Sequence, residues 1–223
     1  MRIINSDGSE AEMCGNGIRC FAKYVYDSGI IEKKRFTVET PAGIMEPEIT
    51  VGADNKAKLI TINMGKPSFN RSEIPMEGAD GRVLNEDLCV DGENWKITSL
   101  LMGVPHTVTY VDDVDTVDIE KIGPLFEKHE AFPKHTNINF AQQMDDRTVK
   151  VRTWERGAGA TLACGTGSCS VAVASFLNGR TGREVDIQLP LGTLHIEYRE
   201  EDGNVYMTGP AAVSFTGTWP DET

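Results

Sequence analysis

"EMCGNGIRCFAKYVYDSG" (residues 12–29) and "LACGTGSCSVAVASFLNG" (residues 162–179) share one frame written in mostly different letters. Each sets a cysteine before Gly-x-Gly and runs on with helical spacing. In the first, Ile18, Phe21, Ala22 and Val25 fall on one face; in the second, Val171, Ala172, Ser175 and Phe176 do. Gly29 and Gly179 stand at equal intervals from Cys14 and Cys164 and read as helix stops. The match extends to the turns Pro41-x-Gly43 and Pro190-x-Gly192, whose intervals from the cysteines differ by one residue. Each turn follows an alternating strand, "FTVET" or "VDIQL", and precedes further strands ending in Met-Gly or Thr-Gly. A repeat of this length predicts two lobes related by a pseudo-twofold, their cysteine loops facing one another across a shared site.

The rest of the chain supplies short strands and one more helix. "KLITINMG", "WKITSLLMGVPHTVTYVDDV" around a Gly-Val-Pro turn, "TNINFAQQMD" and "TVKVRTWERG" read as strands. "DIEKIGPLFEKHEAFP" reads as a helix entered through Asp118 and broken near Pro133, while the amino-terminal residues up to Met13 read as a polar loop. The expected class is α/β (α+β): two pseudo-symmetric lobes, each a curved, mostly antiparallel sheet around a cysteine-headed central helix.

Composition removes several kinds of function. The 223 residues carry a net charge of −12 with no Lys/Arg block, which argues against nucleic acid and anionic membrane surfaces as partners. No apolar run approaches the ~20 residues of a membrane span, and the start "MRIINSDGSEAEMC" has no signal core, so a cytoplasmic chain is expected. Five cysteines, an odd number, then predict free thiols. Cys14/Cys20 and Cys164/Cys169 lack the C-x-x-C spacing of a zinc clip, so no metal is expected. Cys20, Cys89 and Cys169 are assigned to packing, and His129, His135 and His195 to the surface or to satisfied positions.

Two cysteines at helix starts suggest acid–base chemistry. Unpaired N–H groups and the positive dipole end favour both a thiolate and a bound carboxylate. Gly15, Gly17, Gly165 and Gly167 let the backbone approach such an anion. A substrate clasped by both loops has one sulfur on each face of a carbon, the geometry of a two-base racemase or epimerase working without a cofactor. Other cysteine chemistries fit less well. A phosphatase needs Cys-x5-Arg, and Arg19 falls one residue short of it; a phosphate loop ends in Gly-Lys-Ser/Thr, which neither loop does. A papain-like pairing with His106 leaves the second loop unexplained.

"NSDGSEAEMCGNGIRC" together with "WERGAGATLACGTGSC" closely resembles the diaminopimelate epimerase family over essentially the whole chain. The resemblance implies cofactor-independent interconversion of LL- and meso-2,6-diaminopimelate, with Cys14 and Cys164 as the acid–base thiols. It implies substrate contacts from Asn5, Gly15, Asn16, Asn137, Glu155, Arg156, Gly165 and Thr166, and support of the catalytic pair by His106 and Glu155. It places residues 1–58 and 211–223 in the first lobe and 59–210 in the second. Members are often dimers, so a homodimer is the assembly the resemblance leaves open. Two departures accompany it. The family's chains begin with a further segment holding a Gly-x-Gly-Asn-Asp-Phe-like stretch, so an incomplete first lobe is expected here. Val104 stands where the family pattern has an asparagine ahead of Pro-His. The alternatives are therefore a histidine- or proline-type racemase using the same two thiols, or a truncated homologue that binds amino acids without turnover.

Overall fold

The computed structural model describes residues 1–4, 8 and 10–218, so the expectation for Asn5 lies outside it. The amino-terminal residues are not wholly loop: β1 (Ile3–Ile4) pairs antiparallel with β2 (Glu10–Ala11). Helix α1 (Gly15–Asp27) follows, buried along Ile18, Ala22 and Val25 as the periodicity predicts. A detached hairpin of β3 (Val38–Thr40) and β4 (Gly43–Met45) leads into β5 (Glu48–Val51) and β6 (Ala57–Asn63). Next come β7 (Val83–Val90), β8 (Glu93–Met102) and β9 (Val104–Tyr110), then α2 (Ile119–Glu127). The chain closes with β10 (Asn137–Gln143), β11 (Thr148–Glu155), β12 (Gly159–Thr161), α3 (Gly165–Leu177), β13 (Glu184–Leu189), β14 (Gly192–Tyr198) and β15 (Val205–Gly209).

One eleven-stranded sheet joins most of these elements in the order β5-β6-β15-β14-β13-β11-β10-β9-β8-β7, with β12 on β11. It is mostly antiparallel, the exceptions being β9 with β10 and β11 with β13. The sheet curves around α3, whose residues from Gly167 to Ser175 are all buried. That corrects the expectation of a single buried face: an all-round apolar or small-residue helix is one enclosed by the fold. The two cysteine-headed helices otherwise match closely. Both span thirteen residues, both are capped by their cysteine, and both end before a glycine with φ near +70° (Gly29 at 69°, Gly179 at 66°).

Two further expectations change, and one strand is new. α2 starts at its Asp118 cap as read but stops at Glu127, because residues 128–135 fold into successive tight turns ending at His135, whose φ is 61°. β7 goes unread because a bulge between Val83 and Glu86, with Asn85 at φ 54°, breaks its alternation. Cys20 and Cys89 are exposed, and only Cys169 of the three packing candidates is buried. A second core under α2 groups Phe126, Phe132, Phe140 and Ile138, with Trp95, Phe126 and Phe140 meeting edge to face. No helix among the described residues is long and apolar enough to cross a membrane.

Candidate active site

Cys14 and Cys164 are the N-caps of α1 and α3, in extended backbone, and each sulfur accepts an N–H from the glycine three residues on, at 3.4 Å. A cysteine can replace the usual hydroxyl or carboxylate cap because its sulfur accepts, weakly, from the same orphan donors. The two helix starts abut. Asn16 Nδ2 donates to the Ala163 carbonyl at 3.3 Å, and Met207 of β15 lies between the loops. A Cβ on Gly15 would sit 2.6 Å from Met207 Cε, and one on Gly165 would sit 3.1 Å from its Sδ. Those glycines therefore admit Met207, a packing reason the sequence did not suggest. Asn16 Oδ1 is buried with no partner among the described residues, an acceptor left for a ligand's donor.

Around Cys164 the polar groups converge. Its thiol donates to Glu155 Oε2 at 3.1 Å, and Thr166 Oγ1 lies 3.5 Å from the sulfur. Burial, reinforced by the Glu155 charge, pushes this thiol up to about 12, so Cys164 holds its proton in the free protein. His106 is fully buried on β9, and its Nε2 lies 3.0 Å from Thr166 Oγ1. Burial and the nearby Arg156 charge lower its pKa to about 3, which keeps the ring neutral. Behind Cys14 lies a different feature. Arg19 is buried one turn into α1, its Nη1 donating to the Gly15 carbonyl at 3.2 Å and reaching Met207 Sδ at 3.6 Å. No carboxylate among the described residues pairs with it, so a fixed positive charge stands close to the first thiol.

Glu155 ends β11 and Arg156 opens the turn after it, which is clamped from below. Buried Glu127 accepts from Trp154 Nε1 at 2.7 Å and from Gly157 N–H at 3.2 Å. Asn137 holds the turn from the side: its Oδ1 accepts the Arg156 N–H at 2.9 Å and its Nδ2 donates to the Pro105 carbonyl at 2.8 Å. The Arg156 guanidinium is exposed and donates to the Lys134 carbonyl at 2.8 Å. Sequence reasoning missed Glu127, Asn139, Met207 and Arg19. A cleft of about 1000 Å³ opens beside these groups, walled by Met13, Asn63, Met64, Val104 and Thr166 together with Arg35, Glu46 and Tyr206. Neither sulfur lines it among the described residues; it abuts the neighbours of both.

The two shifted groups set a pH profile for stability. His106 titrates lower folded than unfolded, so stability is full above about pH 6.5 and falls by about 1.4 kcal/mol per pH unit below it. Cys164 titrates higher folded than unfolded, so it takes stability away as pH rises from about 9 toward 12. Urea midpoints measured from pH 5 to pH 8 are expected to drop toward the acid side. His106→Gln flattens that limb; an unchanged slope in the variant would show that other groups cause it.

The chain matches the family model described as diaminopimelate epimerase over residues 1–70 and 98–214. It is 51% identical over 223 residues to a diaminopimelate epimerase of Pelotomaculum thermopropionicum, covering all of this chain and 79% of that protein. It is 48% identical over 217 residues to one of Methanococcus maripaludis, covering 97% and 78%. Among solved structures, a hydroxyproline epimerase from Agrobacterium vitis superposes with TM-score 0.66 at 16% identity, covering 94% of this chain and 66% of that one. A Bacillus anthracis phenazine biosynthesis protein of the PhzF family gives 0.61 at 16% identity, covering 92% and 75%. The structural likeness at such identity speaks for a common fold, and the sequence matches go further: the chain belongs to the diaminopimelate epimerase family.

Proposed function

We propose that this chain is an isomerase that inverts one α-carbon of 2,6-diaminopimelate, interconverting the LL and meso forms through two thiols and no cofactor. The observation that carries it is the pair of abutting, cysteine-capped helix starts. Each offers a sulfur together with unpaired backbone N–H groups for a substrate carboxylate. Cys164 enters as the acid, since burial and Glu155 keep it protonated. The base for that direction is then Cys14, and the roles exchange for the reverse reaction. Atoms balance simply: one sulfur takes the α-proton, the other delivers its own to the opposite face, and the enolate between them is held by the helix N–H groups. Glu155, Arg156 and Asn16 serve the substrate's charged groups, and His106 acts through Thr166. Asn137 acts by holding the Arg156 backbone, and residues 1–58 with 211–223 form one lobe against 59–210. Diaminopimelate is small, polar and a lysine and peptidoglycan precursor, which fits a cytoplasmic enzyme.

A second reading, racemisation of another amino acid, is favoured by Val104. This valine lines the cleft and cannot make the hydrogen bond that an asparagine in its place would offer a substrate. Incubation with LL-diaminopimelate in D2O under reducing conditions separates the two. Deuterium at one α-carbon with meso product is the expected outcome. Exchange confined to other amino acids replaces it with the racemase reading.

A further inference from the structure

Asn139, in the middle of β10, is fully buried and reaches the site from behind. Its Nδ2 donates to the Thr107 carbonyl at 3.1 Å and faces His106 Nδ1 at 3.3 Å. A backbone carbonyl only accepts, so the amide edge shared by Thr107 and His106 is the nitrogen, and its second proton points at the ring. Thr153 completes the amide, its hydroxyl donating to Asn139 Oδ1 at 3.0 Å. A neutral imidazole that accepts at Nδ1 carries its proton on Nε2. That nitrogen lies 3.0 Å from Thr166 Oγ1, and with the Thr166 oxygen accepting, its own proton is free to point at Cys164 Sγ, 3.5 Å away.

We infer that Asn139 is a positioning residue for the acid–base step at Cys164, fixing His106 as its Nε2–H tautomer so that the relay Asn139–His106–Thr166–Cys164 donates in one direction onto the sulfur. The inference rests on the two-thiol reading above. Its consequence appears once Cys164 has given its proton to the substrate. The thiolate then meets two donors already aimed at it, the Thr166 hydroxyl and the Gly167 N–H, and these offset the Glu155 carboxylate that had accepted the thiol's proton. With the opposite tautomer, Nε2 would accept, the Thr166 hydroxyl would turn toward the ring, and its lone pairs would face the thiolate. The same atoms would then oppose the charge they now stabilise.

The tautomer is directly measurable. In the unaltered chain with 15N-labelled histidine, long-range 1H–15N spectra near neutral pH are expected to show His106 protonated at Nε2 and bare at Nδ1. A His106 protonated at Nδ1, or at both nitrogens, overturns the inference whether or not the chain turns over diaminopimelate. Conversely, absent epimerisation with the Nε2–H form intact counts against the proposed function alone. Asn139→Asp puts an acceptor where the ring now meets a donor. It should move the proton to Nδ1 and lower kcat by about 10–100-fold with KM changed less than about twofold, the size of a lost hydrogen bond to a charged group. A variant that keeps the Nε2–H tautomer, or keeps full kcat after losing it, overturns the assignment. Because a carboxylate beside the Thr107 carbonyl can unfold the site, Asn139→Ala is the companion variant. Leaving Nδ1 without a donor, it should give a mixture of tautomers, and a pure Nε2–H form there likewise refutes a role for Asn139.

Discussion

Cys14→Ser and Cys164→Ser should each lose about 10²–10⁴-fold in epimerising turnover, the range of a positioned acid or base. The substitution isolates chemistry from structure. Serine is nearly the same size and is a better helix cap than cysteine, so α1 and α3 should hold and thermal midpoints should barely move. An alcohol, however, neither ionises in this range nor takes a carbon-bound proton at a useful rate. Inversion needs both sulfurs, whereas isotope exchange needs one. With Cys164→Ser, Cys14 can still remove the α-proton and return a solvent deuteron to the same face, so exchange without inversion should outlast epimerisation. The two variants should also differ from each other. Cys164 sits in a buried relay through Glu155 and Thr166, while Cys14 has Arg19 behind it, which meets no carboxylate among the described residues. If either variant inverted substrate at near the original rate, the two-thiol mechanism would have to be abandoned. So would it if thermal midpoints stayed put while exchange and inversion fell together in both.

What the sequence displayed was whatever is local. The matched frames at 14–29 and 164–179 expose helix start, buried face and stop within one stretch, and the structure keeps the starts and stops of both. The hairpin turns at Gly103 and Gly192 are legible for the same reason, since a positive φ calls for glycine at a fixed place. The site's supporting shell is not local. Asn139 meets His106 only because β9 and β10 pair in parallel, and Glu127 meets Gly157 only because α2 ends beneath the turn after β11. An Asn in a strand or a Glu near a helix end carries no sign of such partners. The glycines teach a related point. Read alone, all four cysteine-loop glycines suggest room for a ligand, yet Gly15 and Gly165 make room for Met207 and Gly167 for Asn139.

That difference yields a contrast between two positions the repeat makes equivalent. Gly167→Ala should lower the thermal midpoint and cut turnover by at least about tenfold, whereas Gly17→Ala should be tolerated and even slightly stabilising. Both glycines occupy the third position of their helix and neither has a positive φ, so backbone conformation does not separate them. Space does. A Cβ on Gly167 would stand 2.6 Å from Asn139 Oδ1, 3.2 Å from Cys164 Cβ and 3.3 Å from Cys164 Sγ. Asn139 cannot swing aside cheaply, since Thr107, Thr153 and His106 hold its amide on every side. Relief must come from moving α3 or the sulfur, which overpacks a site buried all round at a cost of about 1–3 kcal/mol. Because an error near 1 Å in a reacting atom can cost 10²-fold, activity should fall further than stability suggests. On Gly17 the nearest atoms among the described residues are Cys14 Cβ and Ile3 Cδ1, both at 3.5 Å, ordinary contact distance. Alanine there gains helix propensity of roughly up to 1 kcal/mol. Equal losses at the two positions would mean that the loops are constrained by what they bind, and equal tolerance would mean that Asn139 is free to move. Only the unequal result fits a pseudo-symmetric pair in which one loop, that of Cys164, is set by the protein behind it.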